Sequence, residues 1–173
     1  AVERAGPRSA RKNLCRNMIS RLHQRYRHTV IPALQQQFGL TNALAVPTVS
    51  RIVINAGFGK HLKDPKHAAT VLQTLERVSG QKPVQTKAKK SVAAFKVRQG
   101  MVIGATVTLR GQRMWEFLDK FINVTLARIC DFHGLDPQAM GQGGTITVGI
   151  KEHIVFPEIR SDEVEHLHGL EVT

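Results

Sequence analysis

Three stretches of the chain alternate apolar and polar residues, a pattern that predicts half-buried β-strands. Residues 48–59 read "TVSRIVINAGFG", residues 101–111 read "MVIGATVTLRG" and residues 141–150 read "GQGGTITVGI". A short fourth strand, "PVQT", is predicted over residues 83–86. The sides expected to be buried carry Ile52, Ile54, Met101, Ile103, Ala105, Val107, Leu109, Ile146, Val148 and Ile150. The opposite sides carry Arg51, Val53, Asn55, Val102, Gly104, Thr106, Thr108, Arg110, Thr145, Thr147 and Gly149.

Apolar residues at helical spacing predict two long helices. The first covers residues 64–80, with Asp64 as a candidate N-cap and Gly80 as the residue that ends it. The second covers residues 113–129. Its expected anchors in the core are Met114, Leu118, Phe121, Ile122 and Ile129.

The N-terminal region is basic and partly amphipathic. A helical pattern begins at Leu14, and Pro32 opens a second short helix because proline is excluded from helix interiors. His23 and Tyr26 dilute the apolar side, so we expect this segment to pack on the domain and not to bind a membrane. We divide the chain into a basic N-terminal extension, residues 1–19, and one domain, residues 20–173.

These elements combine into an α+β fold, a two-layer sandwich with helices on one face of a sheet and an open second face. The open face carries Thr, Gly, Asn and Arg and no aromatic residue. It therefore differs from sheets that stack splayed bases on aromatic rings. A flat hydrogen-bonding surface of this kind suits the sugar-phosphate edge of a structured RNA.

The charge of the chain is strongly positive and unevenly distributed. The formal net charge is +12, and residues 77–115 hold nine Lys or Arg and no Asp or Glu. Residues 131–173, by contrast, hold two basic and eight acidic side chains. A polyanionic partner explains this uneven distribution of charge. Nucleic acid is favoured as that partner over an anionic membrane, and over the alternative that the surface is cationic without binding a polyanion.

The densest basic segment is "KAKKSVAAFKVRQG", residues 87–100. Lys87, Lys89, Lys90, Lys96 and Arg98 crowd into this stretch, which contains no acidic residue. Twelve of its residues, 88–99, folded back on themselves reach roughly 20 Å at ~3.3 Å per residue.

Motifs for catalysis or metal binding are weak. Cys15 and Cys130 lie in no metal or redox spacing, which favours a reducing compartment. His166 and His168 beside Glu165 resemble a metal-binding pair, but a third ligand is missing and a solvated acidic tail is the favoured interpretation. We expect no catalytic residue, no metal and no cofactor, which argues against an RNA-modifying enzyme.

Several long motifs resemble the bacterial-type large-subunit ribosomal protein five family. They are "INAGFGK", "SGQKPVQTKAKKSVAAFKVRQG", "VTLRGQRMWEFLDKFI", "RICDFHGL" and "FPEI", and the match covers residues 20 to 172. The resemblance implies an antiparallel sheet and a structural role in translation, without enzymatic activity. It also implies binding of 5S rRNA in the central protuberance of the large subunit. A free-standing RNA-binding module or RNA chaperone fits the charge but not this long match.

The resemblance also implies which residues meet RNA. The motifs and the strand alternation together give a candidate 5S rRNA set of Arg51, Asn55, Gly57, Gly59, Lys60, Gln81, Thr106, Thr108 and Arg110. The resemblance further implies that the basic segment protrudes and contacts the peptidyl-site tRNA. Its Lys89, Lys90, Lys96 and Arg98 would meet phosphates, and Ser91 and Phe95 would shape the tip. That candidate loop set is Lys87, Lys89, Lys90, Ser91, Phe95, Lys96 and Arg98.

Other partners implied by the family are large-subunit rRNA, neighbouring large-subunit proteins and a small-subunit head protein, with no membrane. The Arg-rich start is either what remains beside an organellar targeting segment or a basic arm. It favours a mitochondrial ribosome in the matrix, with a plastid or the bacterial cytoplasm as alternatives. The family usually continues beyond "GLEVT" into a last strand and helix, so a trimmed chain or a neighbouring protein is expected there.

Overall fold

One antiparallel sheet organises the part of the chain that the computed structural model describes, which is residues 20–59, 64–129, 132–135, 140–141, 143–160 and 166–173. The predicted basic extension, residues 1–19, lies outside these ranges. Within them the strands are β1 (Ile52–Gly57), β2 (Val84–Lys87), β3 (Val102–Leu109), β4 (Val148–Ile150) and β5 (Leu170–Val172). Their order across the sheet is β2-β3-β1-β5-β4. The predicted α+β sandwich with an antiparallel sheet is confirmed.

Four α-helices lie in the described ranges: α1 (Arg21–Arg25), α2 (Ile31–Phe38), α3 (Pro65–Ser79) and α4 (Gly111–Lys120). A π-helical turn, Tyr26–Val30, joins α1 to α2, and a second one, Phe121–Thr125, follows α4 and leads into the 3₁₀ turn Leu126–Arg128. Further 3₁₀ turns cover Ala43–Ala45, Ala93–Phe95 and His153–Val155.

The first predicted long helix is confirmed as α3. Gly80 follows it in the left-handed conformation, with φ of 64°, and its N–H donates to the carbonyl of Glu76. Glycine adopts this conformation without strain, which explains why the helix ends there. The predicted apolar side is buried, and Val71, Leu75 and Val78 belong to the core.

The second predicted helix differs from the expectation in its last turns. Met114 and Phe121 are buried as predicted, but Ile122, an expected anchor, has 47% of its surface exposed. Met114, Phe117, Phe121 and Thr125, three or four residues apart, form the buried row. The expectation for Ile122 was wrong because this residue directly follows Phe121 and therefore lies about a quarter turn away from that row.

The core lies between one face of the sheet and helices α3 and α4. Alternate residues of the two central strands, among them Ile54, Ala105 and Leu109, are buried there with Phe156. Burial of one such large side chain stabilises a fold by roughly 1.5–3 kcal/mol. This alternation therefore fixes which face of the sheet remains open.

The N-terminal helical segment packs on the helix layer, as predicted. The ring of His23 stacks on Trp115 of α4 at 5.1 Å between ring centroids. The Tyr26 hydroxyl donates to the carbonyl of Pro47 at 2.8 Å. No helix within the described ranges combines the length and apolar character that crossing a membrane requires.

The C-terminal strands differ from the prediction. Only Val148–Ile150 of the predicted 141–150 strand pairs in the sheet, and Ile146, expected to be buried, is 42% exposed. The glycine-rich start folds back instead, with the Gly141 N–H donating to the carbonyl of Thr145 at 2.9 Å. The C-terminal residues, interpreted as a solvated acidic tail, supply β5, which lies between β1 and β4.

Candidate nucleic-acid interface

The open face of the sheet is centred on β1 and β3. The antiparallel register places Asn55 opposite Thr106 and Val53 opposite Thr108. Because side chains alternate along a strand and Ile52, Ile54 and Ala56 are buried, these four residues share the uncovered side. Three predicted 5S rRNA contacts, Asn55, Thr106 and Thr108, therefore lie next to one another.

Two arginines lie together at one end of this face. Arg51 precedes β1 and Arg110 follows β3, and the adjoining residues Ile52 and Leu109 are paired. Both arginines are exposed, and the antiparallel register sets them side by side. Two adjacent guanidinium groups at the rim of a neutral polar surface form a candidate phosphate contact.

Gln81 lies in the connection between α3 and β2 and is held by Ser79. The Ser79 hydroxyl accepts from the Gln81 N–H at 3.2 Å, and its single proton is shared between the Leu75 carbonyl at 2.6 Å and the Gln81 carbonyl at 3.0 Å. The backbone of Gln81 is thus fixed shortly before β2 begins.

The glycines of the candidate set lie at the other end of β1. Gly57 is the last residue of the strand and Gly59 follows the buried Phe58. A Cβ atom added at either glycine would meet nothing within 4 Å. The fold itself leaves room for side chains here, so their absence keeps the backbone accessible to a partner. Lys60, the next member of the set, lies outside the described residues.

Gly104 is required by the packing of the sheet. A Cβ atom at this position would lie 2.9 Å from the carbonyl oxygen of Ala56 and 3.0 Å from the Thr86 hydroxyl. Real Cβ atoms essentially never approach backbone oxygen so closely. The glycine therefore keeps β1, β2 and β3 close together and the open face flat.

The strand β5 adds residues to the open face that sequence reasoning missed. Glu171 is paired with Asn55 in the register, and its carboxylate accepts a hydrogen bond of 3.4 Å from the Asn55 amide. The Thr173 hydroxyl lies 3.2 Å from that of Thr147. The sequence holds only the three-residue alternation Leu170-Glu171-Val172 as a trace of this strand, which is too short to predict it.

The basic segment 87–100 forms a hydrogen-bonded hairpin between β2 and β3. The Ala88 N–H donates to the Met101 carbonyl at 2.8 Å, and Val92 and Val97 form an antiparallel bridge. The Ser91 hydroxyl accepts from the Gln99 N–H at 2.9 Å. These hydrogen bonds stabilise the hairpin and leave its cationic side chains in solvent. All seven members of the loop set are exposed: Lys87, Lys89, Lys90, Ser91, Phe95, Lys96 and Arg98.

A cleft joins the two candidate sets. It has a volume of about 850 Å³, and Gly57 and Gly59 line one side while Lys89, Lys90 and Phe95 of the hairpin line the other. The sequence did not predict this juxtaposition, because Gly59 and Lys89 are far apart along the chain.

Three buried histidines cluster at the cleft, where His67 and His168 line its wall and His153 packs against His168. The rings of His153 and His168 stack with 3.9 Å between centroids, and His67 approaches His168 edge-on. Burial, followed by the neighbouring His153 and His67, lowers the pKa of His168 to about 4. Burial also lowers the pKa of His153. These two rings, His153 and His168, are therefore neutral at physiological pH.

The described residues offer no metal centre. No group of three or more His, Cys, Asp or Glu side chains among them is arranged to hold a metal ion. His168 is buried with only 6% exposure, which corrects the interpretation of its segment as a solvated tail. Glu165, the third residue of that motif, lies outside the described residues.

Comparison with known proteins gives consistent matches over most of the chain. Residues 42–98 match a family model described as ribosomal protein L5, and residues 102–173 match a second model, described as the C-terminus of that ribosomal protein family. The large ribosomal subunit protein uL5 of Carboxydothermus hydrogenoformans is 48% identical over 155 residues, covering 90% of this chain and 87% of its own. The uL5 of Halothermothrix orenii is 49% identical over the same shares, and that of Rubrobacter xylanophilus is 45% identical over 89% and 86%.

Proposed function

Because this chain belongs to the ribosomal protein L5 family and is a structural, non-enzymatic protein of the large ribosomal subunit, we propose that its open sheet face binds 5S rRNA in the central protuberance. The observation that carries this proposal is the grouping of Asn55, Thr106 and Thr108 on one uncovered face. Arg51 and Arg110 lie beside each other at its end.

The chemistry of the face suits a folded RNA. Amide and hydroxyl groups can hydrogen-bond the 2′-hydroxyls and base edges of a shallow minor groove, while paired guanidinium groups meet phosphates. Aromatic rings, which would favour splayed single strands, are absent from the described residues of β1 and β3. A structured RNA is therefore a better partner for this face than an extended one.

The hairpin 87–100 is proposed to contact the peptidyl-site tRNA, and the domain to reach the small-subunit head. The exposed lysines and arginine of the hairpin form a cationic extension next to the sheet face. Because the hairpin and the open sheet face occupy different positions, one protein can hold two RNA molecules. The remaining proposed partners are large-subunit rRNA and neighbouring large-subunit proteins.

The location of the protein is the ribosome. The compared relatives are proteins of bacteria, which agrees with the bacterial alternative. They give no support to the mitochondrial matrix that the Arg-rich start favoured.

The sheet-face proposal is tested with the double variant Asn55→Ala, Thr108→Ala. Two lost hydrogen bonds of about 1 kcal/mol each predict an affinity for a 5S rRNA transcript that is lower by roughly 30-fold. Isothermal titration calorimetry measures the affinity, and thermal melting checks that both proteins are folded.

A matched control is Thr70→Ala, Gln73→Ala, which removes similar groups from α3 on the helix layer. It should bind 5S rRNA like the unaltered chain. Unaltered affinity in the folded sheet-face variant would remove the sheet face from the proposal.

A further inference from the structure

The cleft beside the hairpin has the size and the walls of a binding site. Its volume of about 850 Å³ lies within the ~300–1,000 Å³ typical of ligand pockets. Phe58, buried in the core, contributes to its apolar wall, and Phe95 of the hairpin lines it with 75% of its own surface exposed. An exposed aromatic ring beside a concave apolar surface is suited to contact with a flat ring.

The charges around the cleft favour an anion. Lys89 and Lys90 line it, and the described lining residues include no Asp or Glu. His67, in the first turn of α3, also lines it, so the N-terminal end of a 15-residue helix adds partial positive charge. Apolar walls and a cationic rim together fit a planar group that carries a phosphate.

The inner wall also has unused hydrogen-bonding capacity. The ring of His168 lines the cleft, and neither of its buried nitrogens has a partner at strict hydrogen-bond geometry among the described residues. The backbone of His166 is near enough to raise its pKa, so at most one ring nitrogen is engaged. The other is available to a polar ligand in the cleft.

We propose that this cleft takes one unpaired nucleotide of the RNA that the 87–100 hairpin contacts. The base lies against Phe95 and the apolar wall, and the phosphate lies near Lys89 and Lys90. The inference rests on the proposed RNA-binding role of the hairpin and adds a pocket for an extruded nucleotide to it. Backbone contacts along the hairpin alone would leave the cleft unused.

Gly59 allows the site to be filled without disturbing the fold. A Cβ atom built there meets nothing within 4 Å, and its φ lies outside the left-handed region. Gly143 has the same two properties and does not line the cleft. Gly59→Leu and Gly143→Leu are therefore a matched pair that differ in whether the new side chain occupies the cleft.

The test is a titration of the isotope-labelled full chain followed by NMR at the amides of Gly57, Gly59 and His168. The probes are a single-stranded RNA hexamer, a duplex of the same sequence and inorganic phosphate. We expect the hexamer to shift these amides, and the duplex and phosphate at equal concentration to leave them unchanged. Gly59→Leu and Phe95→Ala should each weaken hexamer binding by roughly tenfold or more, because stacking of one base is lost. Gly143→Leu should bind like the unaltered chain.

Equal shifts with phosphate or with the duplex would show an anion site only and overturn the nucleotide assignment. Unaltered hexamer affinity in both Gly59→Leu and Phe95→Ala would overturn it as well. The hexamer titration involves neither 5S rRNA nor the residues Asn55 and Thr108. Gly57 and Gly59 belong to both candidate sites, so Asn55→Ala with Thr108→Ala separates the two proposals: this variant should bind the hexamer like the unaltered chain even where it loses 5S rRNA.

Discussion

At the scale of single residues, Glu171 changes which chemical groups the open face can bind. A carboxylate beside Asn55 repels phosphate but accepts hydrogen bonds from 2′-hydroxyl and amino groups. The centre of the face is thus suited to the ribose and base edges of RNA. Phosphates are better placed at its end, where Arg51 and Arg110 lie.

The buried histidines predict how stability depends on pH. The pKa of His168 is about 4 in the folded chain and about 6.5 in an unfolded one. Between these values the unfolded state binds more protons, so stability should fall by about 3 kcal/mol as the pH drops from 6.5 to 4. Above about pH 7.5 the ring is deprotonated in both states, so this group contributes no further pH dependence. Urea denaturation across this range measures the effect.

His168→Gln removes the titrating ring and should flatten the pH profile. His28→Gln alters an exposed histidine of the N-terminal segment and should keep the profile of the unaltered chain. Identical slopes in the two variants would contradict the role assigned to His168. His153, whose pKa is also lowered by burial, accounts for the slope that remains.

At the scale of elements, the sequence predicted those helices and strands whose apolar pattern is long and regular. Helix α3 and strand β3 extend over several periods, and the register later confirmed the open-face positions of Asn55, Thr106 and Thr108. The strand β5 has three residues, too few for alternation to be distinguished from chance. The apolar spacing gave no indication of the π-helical turn after α4, because Phe121 and Thr125 remain four residues apart in the buried row.

The contacts between elements could not be predicted from the sequence. The cleft depends on how the hairpin lies against the end of β1, and the histidine cluster joins residues from three separate segments. Such placements are set by packing of the whole core. Only the residue types, not their proximity, can be read from the chain.

Charge reversal in the hairpin should separate tRNA retention from 5S rRNA binding. Lys89→Glu with Lys90→Glu reverses two exposed charges and should weaken retention of peptidyl-site tRNA by at least about tenfold. Binding of 5S rRNA should stay within twofold, roughly 0.4 kcal/mol, because the sheet face is unaltered. Filter binding on reconstituted large subunits measures the first, and calorimetry the second.

A charge-matched control is Lys66→Glu with Lys151→Glu, which reverses two exposed lysines outside the hairpin. It should retain tRNA normally. Loss of 5S rRNA binding with tRNA retention unaltered in the hairpin variant would show that the hairpin serves the other RNA.

At the scale of the whole molecule, positive charge lies on both layers. Arg51 and Arg110 border the open face, whereas Arg25 and Arg27 are exposed on the segment that packs against the helix layer. A net charge of +12 gives long-range attraction to any RNA. The position of each charged residue on the fold then determines whether it contacts RNA in a specific complex.

The salt dependence of 5S rRNA binding should report which arginines meet phosphate. Each lost phosphate contact lowers the slope of log K against log salt by ~0.7–0.9. Arg51→Ala with Arg110→Ala should therefore reduce the slope by about 1.5, and Arg25→Ala with Arg27→Ala should leave it unaltered. Fluorescence anisotropy at several salt concentrations measures both. A greater reduction in the second pair would place the RNA on the helix layer.

The position of β5 has a consequence for the time at which the sheet can form. Among the described strands, β4 pairs only with β5, and β5 also pairs with β1. During synthesis, a ribosome releases β1, β2 and β3 long before residues 170–172 leave the exit tunnel. The nascent chain can thus assemble three strands early, while β4 waits for the last partner. The edge of β1 that β5 will cover stays open in that interval, a point at which a chaperone or another nascent chain can intervene.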